Sequence, residues 1–299
     1  MQLDRTRIAI HERGVLDTMD LALRLMRVYA WPLFILLVLG AVPFAVLNQV
    51  LIGWMLQWDA GEAYLEESLR IWRYFWVMIV LVVIEAPLVT SFITSFLGQL
   101  VFLERPRLRE LVWEVWRTGG PLIWCHLIGR GVLPALLLVA VIDRDTSFSG
   151  AELWLILLLV AVCLRRGLRP FINEIVLLER SPLRSEDPTA ITISKRSAML
   201  HGPSGGDLLI RWVVSAMFNV VALGFLFGTL VCVQGVFLDD WTPGRWFFQI
   251  GLTLSLWLIT GYTAVVRFLT YLDLRIRQEG WEVELRLRAE ASRLAEVRA

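Results

Sequence analysis

The sequence predicts an all-α fold, a polytopic membrane bundle of six transmembrane helices set as three hairpins with amphipathic interfacial helices between them. Three observations predict it. The chain of 299 residues is 57% hydrophobic and 19% charged, with a mean hydropathy of +0.63, well beyond the apolarity of a soluble domain. It holds apolar runs that reach or exceed the ~20 residues needed to cross hydrocarbon. Its basic residues gather in the segments between alternate runs, about 19 there against about 4 in the other loops and their flanks, the asymmetry that orients membrane helices.

Composition also excludes. A formal net charge of +1 gives no dominant basic face, so nucleic acid is not expected as a partner. Cys125, Cys163 and Cys232 lie inside apolar runs and read as small buried hydrophobes. Lys195 is the sole lysine, an arginine bias that suggests a GC-rich bacterial genome.

Residues 1–29 carry Arg5, Arg7, Arg13, Arg24 and Arg27, with Val15, Leu16, Met19, Leu23 and Met26 at helical spacing. They predict an amphipathic helix on the membrane surface, not a cleavable signal peptide. Residues 30–272 form the predicted six-span domain. The first span runs from Trp31 to Trp58, with a kink at Pro43. The second starts near Ile71 and stays apolar to Leu103, so it either tilts strongly or projects from the bilayer. Glu104–Gly120 is a connector in which Leu108, Leu111, Val112, Val115 and Trp116 make one apolar face. The third span is Pro121–Ile142. The fourth, Ala151–Leu178, is interrupted by Arg165, Arg166 and Arg169. A polar connector, Glu179–Gly206, leads to spans Leu208–Phe237 and Arg245–Leu272. The tail, 273–299, reads as helical, with Glu282 and Arg286 at favourable i,i+4 spacing.

Basic connectors and acidic loops place both termini in the cytoplasm, and tryptophans near both ends of the runs mark two interfacial belts. The predicted location is the bacterial inner membrane, with the lipid bilayer itself as a partner. Three junctions repeat one pattern, an apolar pair, an acid and then arginines: FLERPRLR at Phe102–Arg109, LLERSPLR at Leu177–Arg184, and YLDLRIR from Tyr271. They suggest three copies of one hairpin.

Charges within the spans need a reason, because each costs ~2.5–3.5 kcal/mol on insertion scales. Glu85, Arg130, Arg165 and Arg166 form the candidate intramembrane site. They line a polar pathway or tie hairpins together as ion pairs, with Arg165 and Arg166 alternatively reaching the surface. The sequence has three histidines and lacks HExxH, GxGxxG, Walker and GxSxG motifs. No catalytic residue, metal ligand or cofactor is expected, and an enzyme has no support. His126 reads as a helix-packing residue. Gly224 and Gly228 form a GxxxG pair, which leaves a homo-oligomer open.

The stretch Val265–Leu285, VVRFLTYLDLRIRQEGWEVEL, and the segments FINEIVLLE at Phe171–Glu179 and SKRSAMLHG at Ser194–Gly202 resemble the bacterial membrane-domain family associated with glycerophosphoryl diester phosphodiesterases. Tyr271, Asp273, Leu274, Arg275, Arg277, Glu279, Gly280 and Glu284 carry the closing signature. The resemblance implies the topology and a cytosolic tail. It does not imply phosphodiester hydrolysis, since no long soluble region exists to hold that catalytic domain.

Two functional expectations follow. The first is a non-enzymatic scaffold or accessory subunit that docks a membrane or cytosolic protein. Asp273, Arg275, Arg277, Glu279 and Trp281 would then contact that partner, or equally lipid headgroups. The second is a small-solute or ion transporter or channel using Glu85, Arg130 and Arg165.

Overall fold

The computed structural model describes residues 14–57, 64–101, 107–142, 148–185, 190–241 and 244–279. All its elements are helical, and no strand occurs among the described residues. Four helices among the described residues are long and apolar enough to cross a membrane. They are α2 (Ala30–Ile52), prolonged by a 3-10 turn at Gly53–Leu56, α3 (Tyr64–Val89), α11 (Gly205–Leu238), and α12 (Thr253–Glu279), preceded by a π-helical turn at Phe247–Leu252. A fifth crossing results if α6 (Gly119–Ile123), the π-turn Trp124–Ile128 and α7 (Val132–Ala140) count as one bent span.

α3 and α12 form the centre. Their apolar windows are 56% and 67% buried, against 28% for α2 and 11% for α11. α12 packs on α2, α3, α4 (Ser91–Leu100), α11 and α1 (Val15–Val28). The outer face of α11 is apolar, with Met217, Val220, Val221, Phe225 and Phe237 exposed. In water such a face would be an aggregation surface; in hydrocarbon it is solvated. Exposed tryptophans sit towards the ends of the bundle, among them Trp31, Trp72, Trp116, Trp154 and Trp246.

Several apolar runs that read as continuous are broken. The run from Ile71 divides at Thr90 into α3 and α4, just after Pro87, which supplies no N–H and crowds the preceding turn. The tilted or projecting single helix is therefore replaced by two segments. The run from Ala151 divides into α8 (Gly150–Leu168) and α9 (Ile172–Leu177). Between them Arg169 leaves helical geometry, at φ −138° and ψ 69°, as expected of a residue preceding Pro170. The third run bends by 52° between Ile128 and Val132, where Gly131 takes φ +83°, a conformation glycine adopts without steric cost.

α2 packs on α3, α7 on α8, and α11 on α12. The α2–α3 contact depends on Gly40, where a Cβ would lie 2.3 Å from the Val89 carbonyl oxygen. The GxxxG glycines Gly224 and Gly228 meet nothing within 4 Å. α1 turns Thr18, Met19 and Ala22 inward against α12 and leaves Leu16 and Leu23 exposed; residues 1–13 of the expected helix lie outside the described residues. α5 (Leu108–Arg117) buries Leu111 and Val115 and exposes Trp113 and Trp116. α12 runs through Asp273 to Glu279 without a break, so helix continues across the sequence boundary at 272. Glu104 and residues 280–299, including Trp281, lie outside the described residues.

Candidate functional site

The helix breaks bring charged residues together. Arg130 lies in the bend of the third run, between the π-turn and α7. Interrupted helices inside membrane proteins free backbone groups and line cavities. Arg130 is only 5% exposed, and its Nη2 donates to the carbonyl oxygen of Arg169, the residue at the α8–α9 break. Arg166, three residues earlier, donates from Nη2 to the Ile84 carbonyl oxygen at 2.9 Å. Next along α3, Glu85 is fully buried, and its Oε2 accepts from Asn48 Nδ2 of α2 at 2.9 Å. Asn173 of α9 donates from Nδ2 to the Pro87 carbonyl oxygen at 2.7 Å, a backbone acceptor beside the α3–α4 break.

Arg267 of α12 completes the cluster. Its Nε donates to Glu174 Oε1 at 2.8 Å and its Nη2 to Thr94 Oγ1 of α4 at 3.1 Å. Glu174 is fully buried. Arg130, Arg166 and Arg267 interact electrostatically with one another, and all three act on His126. His126 is fully buried in the π-turn, beside Asn173, yet neither ring nitrogen has a hydrogen-bond partner of acceptable geometry. Glu85 Oε1, Glu174 Oε2 and Arg166 Nε are likewise unpartnered. Buried polar atoms are nearly always paired, so this concentration of open atoms makes the interior cluster the candidate site.

A polar cavity of about 540 Å³ opens at the C-terminal end of α2. Gln49, Gln57, Trp54, Arg245 and Gln249 line it. Gln49, the residue after Asn48, donates from Nε2 to Tyr74 Oη at 2.7 Å and to the Gln249 carbonyl oxygen at 3.2 Å. Gln249 belongs to the π-turn before α12, a geometry that alters normal helical pairing. Adjacent residues of α2 thus serve the cavity and the Glu85 carboxylate. A second cavity of about 500 Å³, lined by apolar residues such as Phe34, Leu37 and Leu258, offers no comparable chemistry.

At the opposite end, where α10 (Ile193–His201) lies, the signature residues bind the chain to itself. Glu179 accepts from Tyr271 Oη at 2.7 Å and from Arg196 Nη2 at 2.9 Å, and Arg275 donates to Tyr271 Oη at 3.3 Å. Asp273, 1% exposed, accepts from Arg277 at 2.8 Å and lies 3.3 Å from Arg211 of α11. His201 stacks on Phe171, accepts the Phe171 N–H on Nε2 at 3.3 Å, and directs Nδ1 at the Ser197 carbonyl oxygen, 2.7 Å away. Burial holds its pKa down from the usual 6.5 to about 4, and Arg130 and Arg169 act in the same direction against the Ser197 bond.

Of the sequence-selected residues, Glu85, Arg130 and Arg166 fall within one interior region. Arg165 is exposed, because successive helical residues point about 100° apart and α8 can turn only one of the two arginines inward. Asp273, Arg275 and Arg277 are engaged in the contacts above. Glu279 ends α12, and its side chain lies outside the described residues. Glu174, Arg267, Asn173 and Asn48 join the site without having been selected. Arg267 and Glu174 were legible as charges near the ends of apolar runs, whereas their contact across 93 positions had no local signal. The buried pair of Arg73 on α3 with Glu152 on α8, at 2.7 and 3.1 Å, was equally silent. No group of three or more potential metal ligands occurs among the described residues. Comparison with family models, curated proteins and solved structures finds no match.

Proposed function

We propose that this protein is a multi-pass membrane transporter or channel for a small solute or ion, with its binding site at the interior cluster of Glu85, Arg130, Arg166, Arg267 and His126. One observation carries the reading. Unsatisfied polar atoms of several helices gather beside three helix breaks, and the adjoining residue of α2 opens into a polar cavity. A purely structural ion pair needs no such concentration of open donors and acceptors. In this proposal α8 is the sixth passage. Glu152, Arg165 and Arg166 raise its charge above that of the other spans, while Leu153, Trp154, Leu157, Val160 and Leu164 are exposed along it. The pairs α2/α3, α7/α8 and α11/α12 would be the three hairpins, with both termini in the cytoplasm of a bacterium and the bundle in its inner membrane. The signature around Tyr271 supports kinship with the membrane domains associated with glycerophosphoryl diester phosphodiesterases.

The test is flux in proteoliposomes, read by light scattering after osmotic shifts with small anions, small cations and neutral osmolytes. Wild type should admit at least one class, and Glu85→Gln and Arg166→Gln should abolish that permeability while inserting normally. Permeability of wild-type vesicles equal to that of empty ones for every class would refute the reading.

A second reading, a non-enzymatic scaffold docking a protein on the cytoplasmic face, is favoured by exposed Leu183, Ile191 and Met199 on the α9–α10 connector and α10. Isolated apolar side chains on a polar connector suit a partner anchor. Mild extraction of wild type beside a form altered at these residues should then show a stoichiometric partner lost with them; a protein extracted alone in both forms excludes this reading.

A further inference from the structure

The interior cluster has an excess of positive charge. Arg130, Arg166 and Arg267 face two carboxylates, Glu85 and Glu174, so even full ionisation of both acids leaves one positive charge over. The distribution is more uneven than the count. Glu174 is taken by Arg267, and the hydrogen bond on Glu85 comes from neutral Asn48. Among the described residues Arg130 and Arg166 have no carboxylate within ion-pair distance, and their hydrogen bonds go to backbone carbonyls. Glu174 attracts Arg130 only from beyond ion-pair distance, and a guanidinium without a paired carboxylate is destabilised on removal from water. A counter-ion supplied from outside the chain relieves that imbalance.

We propose that a small oxyanion, carried by free phosphate or by the phosphate of a lipid headgroup, binds between Arg130 and Arg166 with His126 donating a further hydrogen bond. The planar guanidinium fork matches paired oxygens, and charge-assisted bonds of this kind are short and strong. Arg166 Nε has no partner, which leaves a donor for the ligand. His126 is wholly buried, and its contact with the Asn173 side chain falls short of hydrogen-bond geometry at either ring nitrogen, which leaves its N–H free to turn to a ligand oxygen. The bend at Gly131 and the break at Arg169 bring these donors together from separate helical segments. The proposal rests on the transport reading only for the identity of the cargo; the binding site stands by itself.

The experiment uses the full chain, delipidated in detergent, with thermal unfolding followed against added sodium phosphate and a sodium chloride series at matched ionic strength. Native mass spectrometry of the protein before delipidation forms the second arm. A free ligand predicts a saturable rise in melting temperature with phosphate that chloride does not reproduce. A headgroup ligand predicts a bound phospholipid that survives extraction from wild type. In either case Arg130→Gln and Arg166→Gln should weaken binding by about tenfold or more, the loss of one charge-assisted bond. Arg130→Gln should also melt at or above the temperature of ligand-free wild type, because it removes a buried charge with no carboxylate at ion-pair distance. His126→Phe, which keeps the ring volume, should weaken binding without lowering that temperature.

The proposal is overturned if wild type shows neither a phosphate-specific shift nor a retained phospholipid, or if the arginine variants bind as wild type does. Binding without flux would sustain the site and remove the transport reading. Cation or neutral-solute flux that needs Arg166, without anion binding, would do the reverse.

Discussion

Arg267 and Glu174 meet at 2.8 Å, Nε to Oε1, and join the last long helix to the short α9. Glu174 is fully buried and the Arg267 side chain is 17% exposed. Removing one partner leaves the other charge buried without compensation. Glu174→Gln should therefore cost ~3–5 kcal/mol, seen as a large fall in melting temperature in detergent. The double variant Glu174→Leu, Arg267→Met should lose much less than the sum of its parts; strict additivity would show that the pair is not energetically linked.

Arg73 and Glu152 tie α3 to α8 through two parallel bonds, and the same carboxylate accepts the Ser149 N–H at 2.8 Å at the start of α8. Lysine retains the charge but cannot reproduce the fork. Arg73→Lys should destabilise by about 1.5–3 kcal/mol. Glu152→Ala should cost more, since it also removes the helix cap. Equal melting temperatures for Arg73→Lys and wild type would contradict the bidentate geometry.

Gly40 and Gly224 both lie in long apolar helices, yet they should respond oppositely. A Cβ at Gly40 would sit 2.3 Å from a backbone oxygen, which cannot swing aside, whereas one at Gly224 meets nothing. Gly40→Ala should destabilise by ~1–3 kcal/mol through forced separation of α2 and α3. Gly224→Ala should be neutral or slightly stabilising in the monomer, given alanine's higher helix propensity. A loss of cross-linked dimer with Gly224→Ala would assign the GxxxG face to self-association.

The pH dependence attributable to His201 has a fixed sign. Its folded pKa of about 4 lies below its usual 6.5, so between those values the unfolded chain binds the extra proton. That contribution to stability is intact above pH ~6.5 and falls as pH drops towards ~4, by at most ~1.4 kcal/mol per pH unit. Protonation would also remove the acceptor that Nε2 offers the Phe171 N–H. His201→Gln should flatten melting temperature against pH in this window; an unchanged slope would place the titrating group elsewhere.

DLRIR read as a surface for lipid or a partner, since arginines following an apolar run usually meet headgroups. In the fold Asp273 and Tyr271 are nearly inaccessible, and the arginines bond to them and to Asp207 and Glu179. Within the chain the pattern also joins α10, α11 and α12 to the segment after α9, while Arg277 stays exposed. Arg165 and Arg166 teach the same point on a smaller scale. Both are arginines interrupting one apolar run, and only the rotational setting of α8 against α3 decides which one reaches the Ile84 carbonyl.

By itself the sequence determined the helical class, the apolar runs, the amphipathic segments and the presence of charges that must be accommodated away from water. Those properties follow from local period, composition and the cost of leaving apolar surface or charge in the wrong medium. Local chemistry also marks the breaks, at Pro87, Gly131 and Pro170. The tertiary structure alone decided which helices are central, which arginines turn inward and which acids they find. Glu174 with Arg267, Arg73 with Glu152 and Asn48 with Glu85 join residues 93, 79 and 37 positions apart. A buried charge requires compensation but does not specify its source, and only helix packing at a particular distance and rotation supplies the partner.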